Sequence, residues 1–206
     1  MGWVALGSAI VIVAAVVWSL VDGETRWWWI VPAALVCLST AFFWWRTESL
    51  ERDLASIVRE LSGVEDASVS CKGLWGEMFG YQGANGWVYF DEPVVHLRNH
   101  ICSDLRSVFD LNGEPPTREQ IYAVHILTHE AFHVAGHRNE GVTNCYAVQH
   151  NAETAMLMGM SASEANALSQ QYYDESFSRI RGEYMAPLDC FEDGPMDLTP
   201  GDGSFL

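Results

Sequence analysis

Positive charge is scarce in this chain. Lys72 is its single lysine, and 11 basic residues face 27 acidic ones in 206 residues, a formal net charge of −16. Such a balance gives no reason to expect nucleic acid or anionic lipid as the main partner. Internal repeats and glycine-rich phosphate-binding motifs are also missing. Charge of either sign is absent from two further stretches, Gly2 to Val21 and Trp27 to Trp45. Each has the length of a bilayer span, and Trp3, Trp18, Trp27, Trp28, Trp29, Trp44 and Trp45 sit towards their ends, where indoles settle at a membrane interface. With the polar turn Asp22 to Arg26 between them, they predict a transmembrane helical hairpin over residues 1–46 that anchors the protein through two N-terminal helices. The first run has no basic leader and a second follows directly, which argues against a cleaved signal peptide.

Cysteine is sparse too. Four of the five lie outside these runs, Cys71, Cys102, Cys145 and Cys190. An even set in a domain of this size is compatible with two disulfides and an oxidising compartment. Three pairings are possible. The expected one joins Cys71 to Cys102, which are close in the chain, and Cys145 to Cys190, which ties a long tail down; the alternative is four reduced thiols with Cys145 packed as a small apolar residue.

What is present is a metal motif. Thr128-His129-Glu130-Ala131-Phe132-His133 carries H-E-x-x-H, the pattern of zinc hydrolases. Histidines four apart share one helical face and can grip one ion, while the glutamate between them handles a proton as general base. The surroundings support a helix from Arg118 to Ala135. Pro115-Pro116 stops any earlier helix, Thr117 with Gln120 forms a capping box, and Ile121, Val124, Ile126, Leu127, Ala131 and Val134 recur at near-helical spacing. Gly136 tolerates the left-handed backbone of a helix end that turns back.

A catalytic zinc usually takes three protein ligands and a water. Glu140 is the expected third, at the start of a second helix capped by Asn139 and running to about Met158; His137 and Glu153 compete for the role. Asn144, one turn after Glu140, is placed to orient a ligand from behind. His125 extends the ladder His125, His129, His133, His137. It is either a donor behind the metal or a cleft-wall histidine bonded to a backbone carbonyl. His96, His100 and His150 have no metal-like spacing and read as surface or satisfied histidines. Tyr146, Tyr172, Tyr173 and Tyr184 are all candidates to stabilise an oxyanion.

At these residues the chain resembles the zincin superfamily of metallopeptidases. His129, Glu130 and His133 match the shared active-site helix, and Gly136 falls where metzincins turn the chain. The third metzincin histidine would fall at Asn139, so that family is not matched in full. Asn139-Glu140 followed by Asn144 looks like the gluzincin Asn-Glu-x-x-x-Asp of the thermolysin type, with Asn in place of the final Asp and an unusually short gap before Glu140. Glu140-x-x-Thr143-Asn144-x-Tyr146-Ala147 is similar to the second helix of small gluzincin-like domains. Residues 117–158 carry the resemblance, which implies peptide hydrolysis with zinc as cofactor. The segment Cys145-Tyr146-Ala147 and the tail Cys190 to Leu198 look like small bacterial zincin-like proteins of the cell envelope. The expectation is therefore a bacterial membrane protein with its catalytic domain outside the cytoplasm, although Arg46, Arg52 and Arg59 against Arg26 alone in the turn favour the inside. In zincins an edge strand commonly pairs with substrate, and Trp87 to Phe90 is the candidate; an ordinary half-buried strand is the alternative.

Around the motif, Thr47 to Leu61 reads as an amphipathic helix, a candidate stalk over 47–62. Ala67 to Lys72, Trp87 to Phe90 and Val94 to Leu97 have strand character, with Asn85-Gly86 as a turn. Arg98 to Phe109 reads as a helix, Ser161 with Glu164 caps a last helix to about Ile180, and 182–206 forms an irregular tail. The expected fold class is α+β: the hairpin, then a helix-dominated zincin-like domain with a short sheet over 47–206. Functionally, a membrane-anchored zinc metallopeptidase acting on peptide or protein substrates is expected. The alternative is a non-catalytic zinc-stabilised binding module of the envelope.

Overall fold

In the computed structural model, residues 27–72, 83–201 and 205–206 are described. The chain divides into two units, Met1–Ser49 and Leu50–Leu206. The described part of the first belongs to one helix, α1 (Trp27–Ser62), which continues into the second.

The membrane hairpin is overturned. Among the described residues no helix is long and apolar enough to cross a membrane, so anchoring through two N-terminal helices is withdrawn. The run Gly2 to Val21 lies outside the described residues. The physical reason is visible in Trp27 to Trp45, which lacks charge without being strongly apolar. Five tryptophans, Pro32, Ser39 and Thr40 dilute its aliphatic residues, and an indole is an amphipathic ring rather than a hydrocarbon. The hydroxyls of Ser39 and Thr40 bond back to the carbonyls of Val36 and Cys37.

In the second unit, the last turns of α1 are part of the core rather than a free-standing stalk. Leu54 and Val58 are fully buried, with Leu50 and Ile57 nearly so. The i, i+4 spacing of Leu50, Leu54 and Val58 makes that stripe. Beside it lies a three-stranded sheet of β1 (Ser68–Lys72), β2 (Gly86–Val88) and β3 (Val94–Arg98), in the order β1-β3-β2. β3 pairs parallel with β1, Val69 opposite Val95, and antiparallel with β2, Val88 opposite Val95. Central β3 accordingly buries Val95 and Leu97 completely, while β2 stands at an edge. The parallel pair is stapled to α2 (Asn99–Phe109) by the disulfide Cys71–Cys102.

The centre of the unit is α3 (Arg118–Val134), flanked by α2, α4 (Glu140–Leu157), α5 (Ala162–Glu175), β2 and β3. Its start is fixed by the Thr117–Gln120 capping box: the Gln120 side chain accepts from the Thr117 amide at 2.7 Å, and Thr117 Oγ1 accepts from the Gln120 amide at 3.4 Å. Its end is a Schellman motif: His137 N–H donates to the Phe132 carbonyl and Gly136 N–H to the His133 carbonyl, with Gly136 at φ 101°. Asn139 then caps α4 through the Val142 amide. α3 and α4 pack through small residues, Ala131, Ala147 and Ala155 being fully buried, and through a Thr128–Thr154 hydroxyl bond of 2.7 Å.

α5 carries the expected Ser161–Glu164 box but ends at Glu175 instead of Ile180, because two 3-10 turns, Phe177–Arg179 and Gly182–Tyr184, take over. From there the tail crosses the start of α4. The disulfide Cys145–Cys190 holds it, and Gln149 bonds both Met196 O and the Leu198 amide. The nearly buried Asp197 carboxylate accepts from the amides of Asp193 and Thr199. Gly141 lets the tail approach, since a Cβ there would run into the backbone carbonyl of Met185. Gly141→Ala should therefore cost about 1–3 kcal/mol by overpacking, read as a lowered thermal midpoint; an unchanged midpoint would show that the tail shifts freely.

Candidate metal centre

Helical periodicity places His129 and His133 one above the other on α3, and the five-residue reversal after Val134 brings the first residue of α4 back to them. His129 Nε2 lies 3.0 Å from Glu140 Oε2, His133 Nε2 lies 3.2 Å from the same oxygen, and the two imidazole nitrogens are 3.0 Å apart. Both histidines are buried, and the Glu140 side chain is 31% exposed. These three residues form a group that can hold a metal ion.

The hydrogen-bond chemistry tests that fit. His133 Nδ1 donates to the His137 carbonyl at 2.6 Å, so the neutral ring presents a bare lone pair at Nε2. That lone pair points at a carboxylate oxygen and at a second imidazole nitrogen. Two imidazole nitrogens and a carboxylate oxygen within 3.2 Å of one another form a cluster of the kind that a shared proton or a metal ion holds together. Burial disfavours the His133 cation, but Glu140, the Glu130 charge and the His137 carbonyl outweigh it and raise its pKa. The bonds from His129 and His133 hold Glu140 down at about 2. Burial lowers the pKa of His129.

Glu130 stands apart from this group. It is 5% exposed, its Oε2 has no hydrogen-bond partner, and burial pushes its pKa up to about 8. Gly86 explains how it is confined. A Cβ at that position would collide with Glu130 Cγ and Oε1 and with Ile126 Cγ2, at 2.7, 2.8 and 2.9 Å. Gly86 therefore opens β2 where a backbone must lie against a carboxylate; it is not the turn that Asn85-Gly86 suggests in the sequence. The strand expected over Trp87 to Phe90 accordingly runs from Gly86 to Val88. Phe90 lies beyond it, edge-on to the His133 ring at 5.8 Å, with the Arg138 guanidinium over the Phe90 ring, 4.8 Å from its centroid.

His125 is a buried ring linked to the site through Asn144. Burial depresses its pKa to about 3, so it is neutral. Its Nε2 faces Asn144 Oδ1 at 2.8 Å and its Nδ1 faces the Asn151 amide at 3.2 Å. Asn144 Nδ2 in turn donates to the Tyr184 carbonyl at 2.9 Å, which makes the nearer amide atom an oxygen and Nε2 the donor. A neutral ring then needs a donor at Nδ1, which the otherwise unpartnered Asn151 NH2 supplies when its amide is turned.

The four tyrosines separate cleanly. Tyr172 is buried and stacked on His125 at 3.9 Å, Tyr173 stacks on Phe177, and Tyr146 packs on Phe132 and His137. Tyr184 alone of them sits over His129, at 5.9 Å between centroids, and lines the cleft together with Glu130 and Glu140. Burial and the neighbouring carboxylates raise its pKa to about 12, so its hydroxyl remains a donor. The competitors for the third ligand lie outside the group: His137 lends only its backbone carbonyl, and Glu153 pairs with its helix neighbour His150 at 3.7 Å. His96, expected at the surface or satisfied, is buried between Trp87 and Tyr89 with Nδ1 unpartnered.

No protein-family model matches the chain, and no curated protein or solved structure matches it.

Proposed function

We propose that the chain is a zinc-dependent peptidase in which His129, His133 and Glu140 hold the ion and Glu130 is the general base. Two imidazoles and one carboxylate are the donor set of a catalytic zinc, whereas a structural zinc closes its tetrahedron with four protein ligands. The observation that carries the reading is the unpartnered carboxylate oxygen of Glu130, buried beside a three-donor group that opens on a cleft. A purely structural site has no use for such a group, which disfavours a non-catalytic zinc module.

When bound, zinc supplies Lewis acidity, polarising a peptide carbonyl and lowering the pKa of water. Glu130 accepts the proton of the attacking water and delivers it to the leaving amine. The Tyr184 hydroxyl donates to the oxyanion that develops on the carbonyl. The outer edge of β2, which pairs only with β3 among the described strands, offers backbone groups to an extended peptide. Two disulfides support an oxidising, extracytoplasmic setting, and so envelope or secreted polypeptides as substrates.

The test is turnover of a mixed peptide library by the full chain loaded with zinc. Cleavage that stops on chelation and returns with added zinc is expected. A chain that binds zinc yet cleaves nothing in the library would overturn the catalytic reading.

A further inference from the structure

Tyr122, Ile126 and Glu130 rise along one face of α3 at intervals of four residues, and beside them a pocket of about 320 Å³ runs from the cleft into the unit. Its floor is the stacked pair His125–Tyr172, 3% and 2% exposed. Both His125 nitrogens are occupied by Asn144 and Asn151, so the floor presents ring surface rather than a free imidazole nitrogen. Ile180 and Arg181, from the segment between the two 3-10 turns, close the mouth. Two Arg181 bonds go to the carbonyls of Ser178 and Ile180, which keeps the cation at the rim.

The neighbouring pocket, towards His133, has different chemistry. It is lined by Glu130, Glu140 and Glu183 as well as Trp87 and Phe90. The two pockets share Ala84, Gly86, Glu130 and Tyr184, so a peptide passing the reacting groups has an acidic side and an apolar, arginine-rimmed side.

We infer that the Tyr122–Ile126–Tyr172 pocket is the specificity pocket and takes a large uncharged side chain, aromatic or branched aliphatic, next to the bond being cut. This rests on the zinc peptidase reading and names the substrate class within it. An aromatic ring buries its area against Tyr122, Ile126 and Ile180. A lysine or arginine side chain would bring a cation towards Arg181 with no carboxylate, among the described residues, on the pocket's inner walls to receive it, Glu130 lying only at its junction with the cleft.

The experiment measures binding of three N-acetylated amino-acid hydroxamates, those of phenylalanine, glycine and lysine, to the full zinc-loaded chain. All three carry the same metal-binding group. The phenylalanine compound should bind roughly tenfold or more tighter than the glycine compound, the gain expected from burying a side chain of that size, and the lysine compound no tighter than glycine. Ile180→Trp, which fills the mouth, should abolish the preference, closing the gap between the phenylalanine and glycine compounds. Tyr122→Ala, which removes one wall at a half-exposed position, should reduce it. Equal binding of all three overturns the pocket assignment, as does a preference that survives Ile180→Trp. Failure of all three to bind would instead sink the metal reading beneath it.

Discussion

Glu130→Gln is expected to bind zinc as tightly as the parent and to lose about 10²- to 10⁴-fold in turnover, the usual worth of a positioned general base. The substitution keeps shape and removes only the ability to take a proton. Stability should not suffer, because Glu130 Oε2 makes no hydrogen bond to lose and burial already favours its neutral form, with a pKa of about 8. The measurements are metal stoichiometry, thermal midpoint and peptide turnover on the same preparation. Turnover equal to the parent with zinc retained would overturn the assignment of Glu130 as the general base.

The second large effect belongs to the third ligand. Glu140→Ala should weaken zinc binding by at least ~100-fold, beyond the range seen when a residue supporting a ligand is lost. His137→Ala should leave affinity near the parent's, because what His137 gives the site is its backbone carbonyl, 2.6 Å from His133 Nδ1, and alanine keeps that carbonyl. Its imidazole packs on Tyr146 and Phe132. Competition against a chromophoric chelator gives both constants. Parent-like affinity in Glu140→Ala, or a large loss in His137→Ala, would reassign the ligand.

The amino-acid sequence by itself determined what depends on near neighbours. Helical periodicity set His129 and His133 on one face of α3; Thr117, Gln120, Gly136 and Asn139 fixed where helices begin, end and reverse. The expected cysteine pairing is the one formed, Cys71 with Cys102 and Cys145 with Cys190, since one pair is close in the chain and the other ties a long tail. Absence of charge was a poor guide to a membrane span, because Trp, Pro, Ser and Thr also lack charge without supplying the hydrocarbon a bilayer core demands. Glu140 was the expected third ligand from the sequence, and the Schellman turn brings it, rather than the His137 ring, to His129 and His133. Tertiary structure alone decided the rest. Tyr184, rather than the three other tyrosines, is brought over His129 by the path of the tail, through an Asn144 bond 40 residues distant in sequence. The role of Gly86 appeared only when β2 was laid against Glu130. Contacts of that kind join segments whose spacing carries no local signature, so they become legible only once the chain has folded.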